Sequence, residues 1–251
     1  MNDELLIEIA ENANTYTPLG SANERIATDR YVLWMGRMPS SNVAQRLRLQ
    51  AGEEADVRTE LHELVRARGR TAMTWEVGTH ATPGDLTERL LTLGLVDDEP
   101  TPLAVGMVLT EPPAAPPSDV EVRRAETPEE RLAAETIAAI AFNEPVVPTE
   151  PPPPRNDPNN IVYLAFVDGK PVARASGSFG EHAVSLFGGA TLPEARGHGA
   201  YRALVAARWA DAVERGTPVL VTQASPMSRP ILARLGFREV CEIRILLDKF
   251  A

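Results

Sequence analysis

From residue 120 onward the chain alternates between two hydrophobic periods. Residues 120–125 show the two-residue period of a strand. Thr127, Pro128 and Glu130 then supply a helix start, with Thr as N-cap, Pro at the first helical position and Glu at the third. Leu132, Ile137, Ile140 and Phe142 carry that helix forward. Residues 161–167 and 172–178 read as strands joined by Asp168-Gly169, a hairpin signal. Residues 183–192 form a further strand. Tyr201, Leu204, Val205, Trp209, Ala212 and Val213 recur at helical spacing, and Gly216 and Pro218 stop that helix. A strand at 218–223, a helix at 226–235 and a last strand at 238–248 complete the pattern and close the sheet. Strands with interleaved helices predict an α/β or α+β layer fold.

The first part of the chain repeats a piece of this order. Residues 60–68 read as a helix ended by Gly69, and residues 71–77 as a strand. Thr82-Pro83-Gly84-Asp85 then caps a helix that ends in Leu93-Gly94-Leu95. The later copy runs helix, Gly216, strand, Ser225-Pro226, helix, Leu235-Gly236-Phe237. The parallel implies an internal repeat of one supersecondary unit. The proline-rich stretch from Glu111 to Ser118 reads as a stiff linker. The expected division is therefore 1–110, a linker at 111–119, and 120–251. A second proline-rich stretch, 145–158, excludes an ordinary helix and predicts an extended flap.

Composition narrows the function classes. A net charge of −10 and a pI near 5.0 argue against nucleic acid as a partner and are compatible with a cationic substrate such as an amine. A single cysteine, Cys241, excludes a disulfide framework and makes a cytoplasmic protein the expectation. The acidic start Asn2-Asp3-Glu4 does not read as a signal peptide, and no apolar run approaches the ~20 residues of a membrane span. The four histidines and one cysteine show no metal-ligand spacing, so no metal is expected.

The strongest chemical signal is Arg196-Gly197-His198-Gly199-Ala200-Tyr201, lying between a strand and a long helix. Two glycines there let the backbone curl and leave several N–H groups unpaired at the positive end of a helix dipole. That is an anion site suited to a phosphate or pyrophosphate, with Arg196 adding a charge at its rim. No Lys-Ser or Lys-Thr follows, so it is not a P-loop. A third glycine is missing, so it is a poor dinucleotide fingerprint.

The stretch from Thr191 to Gly199 resembles the acetyl-CoA loop of the GCN5-related N-acetyltransferases, with Gly197 and Gly199 at the glycines of Gln/Arg-x-x-Gly-x-Gly/Ala and Glu194 at its first position. The run from Pro226 to Phe237 resembles that family's later helix, which ends in Leu-Gly-Phe. The resemblance covers 120–251. It implies two domains of this fold, each a mixed, mostly antiparallel sheet flanked by helices, the N-terminal one degenerate because no Arg-Gly-x-Gly precedes its first copy. It implies acetyl-CoA as co-substrate, held by Ala190, Thr191, Leu192, Arg196, Gly197, His198, Gly199, Ala200 and Tyr201. The Leu192 N–H is the implied oxyanion donor.

Acetyl transfer to a primary amine of a small molecule or peptide, by direct attack in a ternary complex, is the activity so implied. Proton handling is less well provided for. Leu232 stands where many family members carry a tyrosine, and the strand before the loop has no carboxylate. Ser225 and Ser228, or Glu181 and His182, are the remaining candidates for that chemistry. Asn143 and Glu144, where a helix ends, are candidates for acceptor contacts. A noncatalytic acyl-CoA-binding regulatory protein is the alternative. The sequence does not indicate an oligomeric state.

Overall fold

A computed structural model describes residues 2–20, 23–154 and 157–250. In chain order the elements are α1 (Asp3–Glu11), α2 (Ala13–Tyr16), β1 (Glu24–Ala27), β2 (Val32–Met35), β3 (Asn42–Gln45), α3 (Glu54–Arg66), β4 (Ala72–Val77), α4 (Leu86–Thr92), β5 (Val96–Asp97) and β6 (Leu103–Leu109). There follow β7 (Glu121–Arg124), α5 (Pro128–Ala141), β8 (Asn160–Val167), β9 (Lys170–Phe179), β10 (Val184–Thr191), α6 (Ala200–Glu214), β11 (Leu220–Ala224), α7 (Arg229–Arg234) and β12 (Arg238–Lys249). Packing divides the chain into two compact units. The first takes the chain up to Val108, Gln223–Ala233 and the residues from Arg238; the second takes Leu109–Thr222 and Arg234–Phe237.

In the first unit the strands run in the order β1-β2-β3-β4-β12-β6, with β5 also paired to β12. Among the described strands of this unit, β3 and β4 are the parallel pair, through Val43↔Thr74 and Ala44↔Trp75. Helix α3 lies on this sheet because Val57, Leu61 and Val65 recur every four residues and share one face. They enter a core with Met73, Trp75 and Leu90.

The last strand does not close the sheet of the second half, as its sequence position suggests. It pairs with β4 from Arg244↔Val77 to Lys249↔Ala72, and with β6 from Arg238↔Val108 to Arg244↔Leu103. An ion cluster fixes it there. Asp248, 1% exposed, accepts from Arg58 Nε at 3.0 Å and Nη2 at 2.8 Å, and His62 Nε2 lies 2.7 Å from Oδ2. These partners are separated by up to 190 residues, beyond the reach of any local pattern.

In the second unit the order is β11-β10-β9-β8-β7, with β10 and β11 parallel and the rest antiparallel. The Asp168-Gly169 turn is as expected, with φ of 48° and 72° at the two central residues, the geometry of a two-residue hairpin. Thr127 and Glu130 form the capping box read from sequence: Thr127 Oγ1 accepts the Glu130 N–H at 3.2 Å, and Glu130 Oε2 accepts the Thr127 N–H at 3.2 Å. Helix α5 covers one face of the sheet through Ala134 and Ile137, packed with Leu164, Phe166 and Ala190. The neighbouring Tyr163 points to the other face and donates to Asp211 of α6 at 2.5 Å, so the two helices sandwich the sheet.

Two expected helix starts move. Helix α3, expected over 60–68, begins six residues earlier, at Glu54, and ends at Arg66. Helix α4 starts where expected, with Asp85 as N-cap and Leu86 as its first residue, although Asp85 makes no cap bond and instead binds Arg89 at 2.8 Å, and the Thr82 hydroxyl donates to the Leu49 carbonyl at 3.0 Å. The helix expected over 226–235 is reduced to Arg229–Arg234, because residues 225–228 form a turn closed by Ser228 N–H donating to Ser225 O at 3.1 Å.

Asp248→Ala removes the carboxylate on which Arg58 and His62 converge. It is expected to lower stability by about 3 kcal/mol, the cost of breaking a largely buried ion pair, in urea denaturation at neutral pH.

Candidate functional site

In the second unit, strand β10 leaves its parallel neighbour early. Its register with β11 holds at Val184↔Leu220 and Ser185↔Val221, and β10 then continues to Thr191 without further pairing on that side. On the other side it stays paired with β9, but with a break. Phe187 faces Ser176, the next pair is Ala190↔Arg174, and Gly188 and Gly189 are bulged between them. The diglycine in an otherwise apolar strand is the sequence signal for this bulge. Gly188 has a φ of 55°, and a Cβ there would collide with the Arg174 guanidinium. A Cβ on Gly189 would collide with the Tyr201 ring.

The Leu192 N–H is not an open donor. It is bonded to the Val172 carbonyl at 2.9 Å. Main-chain groups alternate in direction along a strand, so the neighbouring Thr191 turns its N–H away from β9, toward the open edge.

After β10, a short 3₁₀ turn (Pro193–Ala195) leads into the glycine loop. Gly197 and Gly199 both have positive φ, 85° and 82°, and Gly199 is the N-cap of α6 with no side chain to cap it. The first loop bond back into the helix is Ala203 N–H to Gly199 O at 3.0 Å. Among the described residues, no group accepts from the N–H of Gly197, His198, Gly199, Ala200, Tyr201 or Arg202. Arg196 is exposed, with Nε 3.3 Å from Thr191 O. Arg202, which the sequence reading did not single out, holds its guanidinium beside Gly199. Pro117 of the proline-rich segment also packs there, where a Gly199 Cβ would strike it.

The remaining candidates separate. Glu181 and His182 are exposed in the β9–β10 turn, at the opposite end of β10 from the loop. Eight strand residues lie between, about 25 Å at the usual rise per residue. Ser225 and Ser228 bond each other, Oγ to Oγ at 3.3 Å, and close the turn before α7, which is their structural use. Leu232 is 1% exposed, a core residue of the first unit. Asn143 has a φ of 54° and ends α5 in a Schellman motif: its N–H donates to Ile140 O at 3.3 Å, and the Glu144 N–H to Ala139 O at 2.9 Å. Both residues are exposed. The flap is tied down where Arg131 Nε donates to Pro152 O at 3.0 Å and Arg215 Nη2 to Pro158 O at 2.9 Å, over an open pocket of about 340 Å³. Residues 155–156 of that flap lie outside the described residues.

The first unit has the same order, a strand (β3), a loop, a helix (α3) and a parallel strand (β4), but its open positions are filled from within. In the loop, the Gln50 N–H donates to Glu53 Oε2 at 2.8 Å and the Gly52 N–H to Glu54 Oε2 at 2.9 Å. Past the end of β3, the Arg46 N–H donates to Asn12 Oδ1 at 2.6 Å, and Gln45 Oε1 accepts from the Thr15 N–H at 2.8 Å. Past β4, both oxygens of Glu11 accept from the His80 N–H, at 3.2 and 3.1 Å, and Gly78 has no room for a Cβ against that carboxylate. Side chains of α1 and α2 thus occupy the gap beside β3 and β4. At its centre Glu76 accepts from Gln45 Nε2 at 2.9 Å and Gln223 Nε2 at 3.2 Å, and burial pushes its carboxyl up to about 7.

Among the described residues there is no cluster of three or more metal-ligating side chains, and no helix is long and apolar enough to cross a membrane.

Two measurements follow from this geometry. Gly197→Ala places its Cβ in open space and bears only the left-handed strain, about 1–2 kcal/mol. Gly199→Ala adds the Pro117 collision and is expected to lower the melting temperature further than Gly197→Ala. Glu76 is a carboxyl whose folded pKa lies above its unfolded value. Its contribution is complete below the unfolded value near 4.5 and is lost as pH rises through about 7. Glu76→Gln is expected to flatten the fall in stability between those pH values, leaving the variant relatively more stable than wild type at pH 8.

No protein-family profile and no curated protein matches the sequence. Solved structures do match. A GCN5-related N-acetyltransferase from Kribbella flavida superposes with a TM-score of 0.71 at 20% identity, covering 97% of this chain and 95% of that one. A tandem GNAT protein from the clavulanic acid biosynthesis pathway matches with a TM-score of 0.58 at 14% identity, over 99% and 95%. A putative acetyltransferase of the GNAT family from Novosphingobium aromaticivorans matches with a TM-score of 0.55 at 15% identity, over 100% of both. At these identities the likeness is one of fold: this chain has the fold of the GCN5-related N-acetyltransferases, in its tandem form.

Proposed function

We propose that this protein is an N-acetyltransferase that moves the acetyl group of acetyl-CoA to a primary amine of a small molecule or peptide. The observation that carries the reading is the row of unpaired N–H groups from Gly197 to Arg202, placed at the end of a strand that has left its neighbour. A pyrophosphate there meets several main-chain donors and the positive end of α6, with Arg196 and Arg202 beside it. The pantetheine arm then runs along Ala190, Thr191 and Leu192, pairing with the main chain of Thr191 on the open edge of β10. This brings the thioester toward the bulge.

The transfer needs little acid–base help if the acceptor arrives as the neutral amine. Its lone pair attacks the thioester carbon to form the C–N bond, the tetrahedral intermediate collapses with the C–S electron pair leaving on sulfur as the CoA thiolate, and the amine proton leaves to water, which protonates the thiolate in turn. Holding both reactants in one complex supplies much of the acceleration, and main-chain donors at the bulge stabilise the oxyanion. No side-chain acid is assigned: Leu232 is buried where a tyrosine would stand, and Glu181 and His182 lie too far from the loop. Leu232 is also what favours a second reading, an acyl-CoA-binding regulatory protein without turnover.

The first unit is read as a partner copy that takes no CoA, since its own carboxylates and amides use the equivalent donors. Calorimetry with acetyl-CoA is expected to give one equivalent per chain, and two equivalents would overturn this assignment. Gly197→Val is expected to abolish that binding in a folded protein. Thiol release in the presence of a panel of primary amines separates the two readings: binding with turnover supports the transferase, and binding without turnover on any amine supports the regulator.

A further inference from the structure

Arg174 is a buried cation inside the sheet of the second unit, 7% exposed, on β9. Its Nη1 donates to the Gly188 carbonyl at 2.9 Å, and its Nη2 lies 3.7 Å from Glu135 Oε1 on α5. Arg174 and Ala190 are register partners, and Ala190 packs in the α5 cluster, so the guanidinium sits on the α5 face, over the bulge. A bulge leaves its extra residue unpaired in the ladder, and two glycines widen the conformations open to the peptide between them. Here one end of the peptide between Gly188 and Gly189 is held by a charge-assisted bond.

The other end follows from covalent geometry. The peptide is planar and trans, so the Gly189 N–H points opposite to the Gly188 C=O. A carbonyl fixed by Arg174 therefore fixes the direction of the Gly189 N–H. Gly189 is exposed, and the ring of Tyr201 lies where its side chain would be. Withdrawal of electron density by the guanidinium also strengthens that N–H as a donor, because hydrogen bonds in a chain polarise one another.

We propose that Arg174 is a positioning residue that aims the Gly189 N–H at the thioester carbonyl, making that main-chain group the oxyanion donor. Arg174 touches neither substrate nor acyl group; it acts through the peptide it holds, and Glu135 balances its charge. The inference rests on the acetyl-CoA reading of the loop, and the test separates the two.

The experiment uses the full chain labelled with ¹⁵N-glycine, with acetyl-CoA and CoA as probes. In the wild type, acetyl-CoA is expected to move the Gly189 amide proton downfield and slow its exchange, CoA is expected to leave it in place, and both ligands are expected to move Gly197 and Gly199. In Arg174→Met the Gly197 and Gly199 responses should persist while the Gly189 response is lost, and Arg174→Lys should restore part of it. Thiol release with the best amine of the panel should fall in Arg174→Met by roughly ten- to a hundredfold in kcat, less than the loss of a whole oxyanion donor, with the KM for acetyl-CoA little changed. An unchanged Gly189 response in Arg174→Met overturns the inference. If that variant does not fold, a wild-type Gly189 amide that responds identically to acetyl-CoA and CoA overturns it instead. If Gly197 and Gly199 respond to neither ligand in the wild type, it is the acetyl-CoA reading that falls.

Discussion

Every main-chain N–H removed from water needs an acceptor, and the structure turns on where that requirement is relaxed. In the second unit β10 abandons β11 after Ser185, and in the loop that follows six consecutive N–H groups, Gly197 to Arg202, have no acceptor among the described residues. Such a row is tolerable only where water or an anion can reach it. Gly197 and Gly199 supply the left-handed backbone that lines the donors up, and Gly188 and Gly189 supply the bulge that keeps β10 in the sheet on one side while freeing it on the other. The site is made of main chain, and its side chains serve mainly to hold that main chain in place.

The first unit meets the same requirement in the opposite way. It has the strand, the loop, the helix and the parallel strand, but Glu53 and Glu54 accept from the loop and Asn12 from the end of β3. These carboxylates are tethered, so an external phosphate competes against groups already in place. The polar interior that results is demanding: Glu11 and Glu76 are both pushed upward by burial, and Gln45 and Gln223 are committed to satisfying Glu76.

The proton-transfer question looks different once the site is seen as main chain. Glu181 and His182 stay at the far end of β10, and Ser225 and Ser228 are occupied with a turn. Near the bulge stand Arg174, Glu135 beside it and the Tyr201 ring against Gly189; Arg174 is a permanent cation, and the use proposed for it is to orient a peptide and not to move a proton.

Local chemistry was enough for much of this. The Thr127–Glu130 capping box, the Asp168-Gly169 hairpin and the glycine loop are each set by residues within a few positions of one another, and the structure has all three where the sequence puts them. The repeat of helix, strand and helix was legible for the same reason. The four-residue strands β1 to β3 and the four-residue helix α2 were not read, because so few residues give no clear period; α1 and β6 were not read either. The sheet to which β12 belongs, the bond that removes the Leu192 N–H from the candidates, and the grip of Arg174 on Gly188 were decided only by tertiary structure. Strand period says which face a side chain takes, but it does not say which edge the strand will find. A main-chain donor carries no sequence mark, so whether it is open or occupied depends on what the rest of the chain places beside it.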